Sequence, residues 1–163
     1  MIEYKYAIVY TPKHFQTGQI IDLLNTPHIT VKRRFKFIRG SNIKSVLVEL
    51  REILKKTPRF KIELADEKSF KNGTSYIKVK NINQLKRLHS NLVVFLKQTT
   101  ISKNPEYEQA GYVPHLTISG EIVKIKKQLV GQDLFFREMY FVKEKTRHHW
   151  VVLDRMDLIK ITS

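Results

Sequence analysis

The sequence predicts an α+β fold with antiparallel sheets, and two observations lead to this prediction. Strand and helix patterns follow one another in the order βαβ-αββα-βαββ, with several hairpin-type neighbours. The 163 residues are 42% hydrophobic, which suits the core of one ordinary domain. We therefore expect a single domain over residues 1–163 and not a doubly wound parallel sheet.

The first half of the chain alternates between strand and helix signals. The initial strand places Tyr4, Tyr6 and Ile8 on one face and ends at Thr11-Pro12. Pro27 precedes a second strand, and Gly40-Ser41-Asn42 offers an N-cap for a helix. The predicted elements are a strand at 3–10, a helix at 13–24, a strand at 28–37 and a helix from this cap to 55.

The second half contains more strands. Asn72-Gly73 is typical of a hairpin turn between two of them. The leucines after Ile82 have helical spacing over about fifteen residues. The predicted elements are strands at 60–69 and 75–80, a helix from 82, a loop at 99–113, a strand at 115–121, a helix at 123–130, and strands at 134–143 and 148–159.

The composition restricts the class of partner. Thirty Lys and Arg against fifteen Asp and Glu give a net charge of +15, which favours nucleic acid, nucleotides or an acidic membrane surface, although it also serves solubility alone. The absence of cysteine excludes a disulfide framework, a thiolate metal site and a cysteine nucleophile. No signal peptide or membrane-spanning run is present, so we expect a cytoplasmic protein with no membrane association.

A short internal repeat carries the chemistry. Pro27-His28-Ile29-Thr30 in the first half is repeated as Pro114-His115-Leu116-Thr117 in the second. Because residues two apart on a strand point to the same side, His28 projects with Thr30 and His115 with Thr117. If the two strands face each other, two imidazoles and two hydroxyls converge on one cleft.

This set of side chains suits phosphoryl transfer. One imidazole takes a proton from the attacking oxygen while the other gives a proton to the leaving oxygen, and an ordinary pKa near 6.5 makes both protonation states available. The two threonine hydroxyls can donate hydrogen bonds to the non-bridging oxygens. The scheme needs no metal.

The twin Pro-His-x-Thr motifs in a basic α+β chain resemble the 2H phosphoesterase superfamily. That superfamily includes 2′-5′ RNA ligase-like proteins, RNA cyclic phosphodiesterases and YjcG-like proteins. The resemblance implies a bilobal, pseudo-two-fold arrangement of two antiparallel sheets flanked by helices, with a central cleft. It implies that His28 and His115 are the catalytic acid–base pair and that Thr30 and Thr117 hold the phosphate, without a cofactor.

The substrate-binding residues outside the motifs depend on weaker signals. Many relatives carry a basic residue after the second motif, where this chain has Ser119-Gly120, so the phosphate charge falls to Lys32 and Arg34 on the His28 face. Tyr112 either stacks on a base or anchors its loop.

Three further aromatic or imidazole positions have structural explanations. We expect Trp150 in the core, and His14 and His89 on helix surfaces without partners. Histidines 148 and 149 are adjacent on a strand and cannot easily chelate one ion, so no metal site is expected.

The resulting hypothesis is a metal-independent phosphodiesterase acting on a 2′,3′-cyclic phosphate or a 2′-5′ linkage of RNA or an oligonucleotide, with ligation as the reverse reaction. The alternatives are a non-catalytic RNA-binding protein that kept the fold and a hydrolase of cyclic oligonucleotide signals. No obligate protein partner is inferred.

Overall fold

The computed structural model describes residues 3–118 and 126–160. Within these residues it contains ten strands, three α-helices and two 3-10 turns. The strands are β1 (Tyr6–Tyr10), β2 (Ile20–Asp22), β3 (Ile29–Phe37), β4 (Phe60–Ser69), β5 (Ser75–Val79), β6 (Thr100–Ser102), β7 (His115–Ile118), β8 (Asp133–Phe136), β9 (Glu138–Thr146) and β10 (His149–Asp157). The helices are α1 (Ile43–Leu54), α2 (Asn83–Leu96) and α3 (Lys126–Leu129), and the 3-10 turns are Pro105–Tyr107 and Gln109–Gly111.

The strands form two antiparallel sheets. One has six strands in the order β2-β10-β9-β1-β3-β6, and the other has four in the order β7-β5-β4-β8. A continuous apolar core joins both sheets to α1 and α2. This arrangement confirms the predicted α+β class with two antiparallel sheets. No helix in the described ranges is long and apolar enough to cross a membrane.

Local signals correctly located several elements. The side-chain oxygen of Asn42 accepts a hydrogen bond from the backbone N–H of Ser45 at 3.2 Å, so it caps α1 as predicted. The leucines after Ile82 form α2 and are buried. Gly73 has a φ of +84°, which supplies the left-handed residue of the β4–β5 hairpin turn.

Two predictions of secondary structure were wrong. The segment 13–24 is not a helix: Gly18 has a φ of +90°, and β2 forms the edge strand beside β10. The predicted strand 134–143 is two strands, since the chain leaves one sheet at Arg137 and enters the other. In both places the partner strand, which is distant in sequence, decides the conformation.

The loop predicted at 99–113 contains more structure than expected, namely β6 and both 3-10 turns. The predicted helix at 123–130 is described only as α3. Its beginning, the end of the strand predicted at 115–121 and the pair Ser119-Gly120 lie outside the described residues.

Candidate active site

The two Pro-His-x-Thr motifs meet where the two sheets join. The N–H of Thr117 donates to the carbonyl of His28 at 2.8 Å, and the N–H of His28 donates to the carbonyl of Thr117 at 3.4 Å. Directly opposed residues of an antiparallel pair project to the same side, so His28 and Thr117 share a face. Thr30 and His115, each two residues away along its strand, share that face as well.

Both imidazoles are held in the same way. Nδ1 of His28 lies 2.8 Å from the carbonyl oxygen of Thr26, and Nδ1 of His115 lies 2.9 Å from the carbonyl oxygen of Val113. A carbonyl only accepts hydrogen bonds, so in both rings Nδ1 carries the proton and donates it. Each neutral ring therefore keeps Nε2 as its basic nitrogen, the atom that can exchange a proton with a substrate.

The surroundings favour the neutral form of both histidines. Burial lowers the pKa of His28, and the charge of His115 lowers it further. Burial also lowers the pKa of His115, with an additional contribution from the positive charge of Arg33. Protonating either ring makes protonation of the other less favourable, so the pair resists carrying two positive charges.

Two aromatic rings surround His115. Phe70 and Tyr76 lie edge-on to its imidazole, with ring centroids 5.0 and 5.2 Å away, and they stack on each other at 4.2 Å. Phe70 remains 41% exposed. Both come from the β4–β5 hairpin. The Asn72-Gly73 turn signal located this hairpin, but nothing in the sequence placed it beside the second motif.

A cleft of about 490 Å³ lies against the motifs, within the size range of small-molecule sites. His28, Thr30 and Thr117 form part of its wall, and His115 stands next to it against the β4–β5 hairpin. The cationic side chains in the wall are Arg33, Arg34, Lys103 and Arg147.

An irregularity of β3 determines which cations face the cleft. Val9 pairs with Thr30, but its neighbour Ile8 pairs with Lys32, so β3 holds one extra residue there, and a second register shift follows before Phe35. Such bulges change which side chains share a face. Arg33 and Arg34 consequently both line the cleft. Strict alternation identified Arg34 and missed Arg33.

The same irregularity corrects the expectation that Lys32 continues the His28 face. Its ammonium is fully buried, forms an ion pair with the Glu108 carboxylate and donates to the Ser102 hydroxyl at 2.6 Å. Burial lowers the pKa of Lys32, and Glu108 opposes that change. Lys32 therefore fastens β3 to the 3-10 turns and does not line the cleft.

Tyr112 acts as the loop anchor, the second of its two expected roles. It is buried, its hydroxyl donates to the carbonyl of Thr30 at 3.0 Å, and its ring stacks on His89 at 3.8 Å. The contact ties the segment before the second motif to the first motif. Burial raises the pKa of Tyr112, so its hydroxyl remains a donor.

His89 is not the surface residue that the sequence predicted. It is fully buried, with Nδ1 at 2.6 Å from the Val31 carbonyl and Nε2 accepting from the N–H of Gln109 at 2.9 Å. These two partners require the neutral ring with its proton on Nδ1. The helical spacing of α2 gave no indication of either partner.

His14 also has partners, contrary to expectation. Its Nδ1 lies 2.9 Å from the Glu138 carboxylate, and its Nε2 lies 3.0 Å from the guanidinium of Arg155. Among residues 3–118 and 126–160, no three His, Asp or Glu side chains are grouped as metal ligands would be.

Arg34 and Trp150 form a fixed wall of the cleft. Trp150 is buried, and the guanidinium of Arg34 lies 5.0 Å from its ring centroid. Arg34 also donates twice to the Glu144 carboxylate, both at 3.1 Å. The Glu144 carboxylate therefore neutralises much of the positive charge of Arg34. The positive charge of Arg33, which lies close to His115, is more available to an anion in the cleft.

The model of the 2′-5′ RNA ligase superfamily matches residues 21–133, which contain both motifs. A crystal structure described as a phosphoesterase has a similar fold, with a TM-score of 0.59 and 12% identity over 96% of this chain and 98% of that chain. TT0787 of Thermus thermophilus has a TM-score of 0.58 and 13% identity over 83% of this chain and 80% of that chain. E. coli LigT complexed with NADP⁺ has a TM-score of 0.55 and 13% identity over 96% of this chain and 98% of that chain. No curated protein sequence matches this chain. From the match over most of its length, we conclude that the chain belongs to the 2′-5′ RNA ligase superfamily.

Proposed function

We propose that this protein is a metal-independent phosphodiesterase acting on a 2′,3′-cyclic phosphate or a 2′-5′ linkage of RNA or an oligonucleotide. The observation that carries the proposal is the matched pair of imidazoles. His28 and His115 each donate Nδ1–H to the carbonyl two residues earlier, and their strands are bridged through Thr117. Two basic Nε2 atoms at one junction can divide acid and base roles between them.

In the proposed hydrolysis of a cyclic phosphate, one neutral histidine takes a proton from water as the water oxygen forms a bond to phosphorus. The other histidine, protonated at the start, gives its proton to the ribose oxygen as the bond from phosphorus to that oxygen breaks. The product is a phosphomonoester, and the two rings have exchanged protonation states. A proton transfer through solvent restores them. For a 2′-5′ linkage, one histidine takes the proton of the neighbouring 3′-hydroxyl as its oxygen forms a bond to phosphorus, and the other gives a proton to the 5′-oxygen as the bond from phosphorus to that oxygen breaks. The products are a 2′,3′-cyclic phosphate and a 5′-hydroxyl, and the reverse of this step is ligation.

The hydroxyls of Thr30 and Thr117 and the guanidinium of Arg33 are proposed to hold the phosphate. Both threonines and Arg33 line the cleft beside His28. Hydrogen bonds and positive charge directed at the non-bridging oxygens stabilise the charge that develops on them in the transition state. The sequence had assigned this role to Lys32 and Arg34, and we propose Arg33 in place of Lys32.

Two alternatives follow from particular features. The net charge of +15 also suits a non-catalytic RNA-binding protein, which would bind RNA without using the histidines. The cleft of about 490 Å³ also suits a cyclic oligonucleotide signal as substrate. We expect an RNA-directed enzyme of this kind in the cytoplasm.

The test is turnover of nucleoside 2′,3′-cyclic monophosphates, RNA with a cyclic phosphate end, 2′-5′-linked dinucleotides and cyclic dinucleotides, all in EDTA. His28→Ala and His115→Ala should each lose activity while keeping the fold. His14→Ala is the matched control, because His14 binds Glu138 and Arg155 and should retain activity. RNA binding without turnover of any substrate would favour the binding protein, and activity that vanishes in EDTA would contradict the mechanism.

A further inference from the structure

The guanidinium of Arg33, the proposed phosphate contact, lies against an aromatic ring. Its central carbon is 4.6 Å from the centroid of the Tyr107 ring, a distance at which a cation is attracted to the ring face. Tyr107 ends the first 3-10 turn and remains 48% exposed. Within the described ranges no carboxylate forms an ion pair with Arg33, and none lines the cleft. The Tyr107 ring is therefore the partner that this part of the chain offers to the Arg33 charge.

An aromatic ring and a carboxylate hold an arginine with different consequences. The neighbouring Arg34 is held by the Glu144 carboxylate, which neutralises much of its charge. The face of the Tyr107 ring attracts the Arg33 guanidinium without bringing a negative charge, so the charge and the N–H donors stay available. An exposed arginine otherwise samples many rotamers, whereas a charge that stabilises a transition state must already be in place. Tyr107 can therefore orient Arg33 without neutralising it.

The Tyr107 ring belongs to a segment that docks onto β3, namely residues 105–113, which we call the turn segment. Glu108, which follows Tyr107, pairs with the buried ammonium of Lys32, which precedes Arg33. Two consecutive residues of the turn segment thus meet two consecutive residues of β3. The exposed contact between Arg33 and Tyr107 takes its register from the buried ion pair beside it.

The backbone of the turn segment has little freedom. Gln109 has a φ of +50°, a left-handed conformation that is uncommon for a residue other than glycine, and its N–H donates to Nε2 of the buried His89 at 2.9 Å. At Gly111 a Cβ atom would collide with the carbonyl oxygen of Glu106, so the two 3-10 turns are packed too closely for a side chain there. These contacts restrict the backbone that carries Tyr107.

The turn segment also leads to His115. The Tyr112 hydroxyl donates to the carbonyl of Thr30 at 3.0 Å, and the carbonyl of Val113 accepts from Nδ1 of His115 at 2.9 Å. One end of the segment thus holds the Arg33 charge, and the other end sets the direction of the His115 ring. The cation and the imidazole are positioned relative to each other by one continuous piece of chain.

We propose that Tyr107 is a positioning residue, whose ring holds the Arg33 guanidinium in the cleft beside His115 and leaves its charge and N–H groups free for the phosphate. Tyr107 acts through Arg33 and does not itself touch the substrate. This inference rests on the proposed function, in which Arg33 binds the phosphate, and it adds a residue that the twin motifs do not contain.

The test is a double-mutant cycle between Tyr107 and Arg33. The measured quantity is kcat/KM for RNA with a 2′,3′-cyclic phosphate end. Tyr107→Leu should lower it about fivefold, which corresponds to the roughly 1 kcal/mol of an exposed cation–π contact. Tyr107→Phe retains the ring and should match wild type. In the Arg33→Gln background, Tyr107→Leu should cause no further loss, because the contact is already absent.

Phe135→Leu is the matched control. Phe135 is 55% exposed, the Arg137 guanidinium lies 5.4 Å from its ring centroid, and neither residue lines the cleft. The variant loses a contact of the same kind elsewhere on the surface, so its kcat/KM should remain that of wild type. Both leucine substitutions are at exposed positions and should leave the melting temperature nearly unchanged.

An NMR measurement provides a readout that does not depend on turnover. A guanidinium that lies over a ring face experiences the ring current of that ring. The Nε–H signal of Arg33 should therefore be displaced upfield in wild type and in Tyr107→Phe. In Tyr107→Leu it should return to the ordinary position of an exposed arginine.

Unchanged kcat/KM in Tyr107→Leu, equal losses in Tyr107→Leu and Tyr107→Phe, or a loss that persists in the Arg33→Gln background would overturn the inference and leave the proposed function intact. A loss of the same size in Phe135→Leu would overturn it as well. If wild type turned over no substrate, the proposed function would fail, and the NMR comparison would decide. An Arg33 signal that Tyr107→Leu does not move would then overturn the inference, and a signal that moves only in this variant would support it.

Discussion

The ion pair between Lys32 and Glu108 makes a strong prediction about stability. Replacing Glu108 by Gln removes one charge and leaves the size of the side chain almost unchanged. The Lys32 side chain is 0% exposed and that of Glu108 is 8% exposed, so the remaining ammonium cannot reach water. Only neutral acceptors would remain for it, namely the Ser102 hydroxyl and the amide oxygen that Glu108→Gln introduces. Breaking one side of such a buried pair costs about 3–5 kcal/mol.

Deprotonation of Lys32 sets an upper limit on the destabilisation by Glu108→Gln. Instead of staying charged and unpaired, Lys32 can release its proton, which costs about 5 kcal/mol at pH 7 for an amine with an ordinary pKa near 10.4. That limit falls to about 2 kcal/mol at pH 9, because the unfolded chain then also gives up the proton more easily. The destabilisation by Glu108→Gln should therefore shrink as the pH rises from 7 to 9.

Urea denaturation of wild type and Glu108→Gln at several pH values measures both effects, and thermal melting at pH 7 should show a decrease of roughly 10 °C for a chain of this size. Glu52→Gln is the control, since its partner Lys55 is on the surface, and its melting temperature should not change. The variant Lys32→Met/Glu108→Leu should recover most of the lost stability. A Glu108→Gln protein as stable as wild type, or a double variant no better than the single one, would refute the reasoning.

Three further predictions concern the histidines and threonines. Burial lowers the pKa of both His28 and His115, so kcat/KM should pass through a maximum on the acid side of pH 6.5, and a maximum above pH 7.5 would contradict this. Thr30→Val and Thr117→Val each remove a donor to the phosphate and should lower kcat about 100-fold with little change in melting temperature, whereas unchanged kcat would exclude the threonines from the site. Burial also lowers the pKa of His89, so its contribution to stability is complete above its ordinary pKa near 6.5 and is lost as the pH falls through the lowered value. The difference in melting temperature between wild type and His89→Gln should therefore shrink from pH 7 to pH 5. A constant difference would contradict this.

The sequence predicted those features that local rules determine. The Asn42 cap, the leucine spacing of α2 and the Asn72-Gly73 turn each act over a few residues, and the structure confirms all three. The recurrence of Pro-His-x-Thr likewise needed no knowledge of the fold. Its two copies are brought together by the bridge between His28 and Thr117.

The remaining features depend on contacts between distant parts of the chain. The bulges of β3 arise from its pairing with β1 and turn Lys32 away from the cleft while exposing Arg33 to it. His89 is buried because a loop twenty residues later covers it and donates to its ring through Gln109. Apolar spacing alone reveals neither a register shift nor a covering loop.

The same limitation explains the two errors in secondary structure. The N–H of Gly18 donates to the carbonyl of Val152 at 2.7 Å. This contact with the far end of the chain is present in place of the expected helix. The stretch 134–143 is largely apolar, but Arg137 divides it between two sheets. A single long buried strand and two consecutive strands of different sheets show the same apolar pattern, so this pattern did not reveal the break at Arg137.

The central claim is that His28 and His115 work as one acid–base pair, and a double-mutant cycle tests it most directly. The measurement is kcat/KM for RNA with a 2′,3′-cyclic phosphate end, in EDTA, for wild type, His28→Ala, His115→Ala and the double variant. If the two histidines act as a unit, replacing one also abolishes the contribution of the other. The kcat/KM of each single variant should therefore fall about 10²–10⁴-fold, and that of the double variant hardly further. If either single variant retained activity, or if the two losses multiplied in the double variant, the paired mechanism would be contradicted.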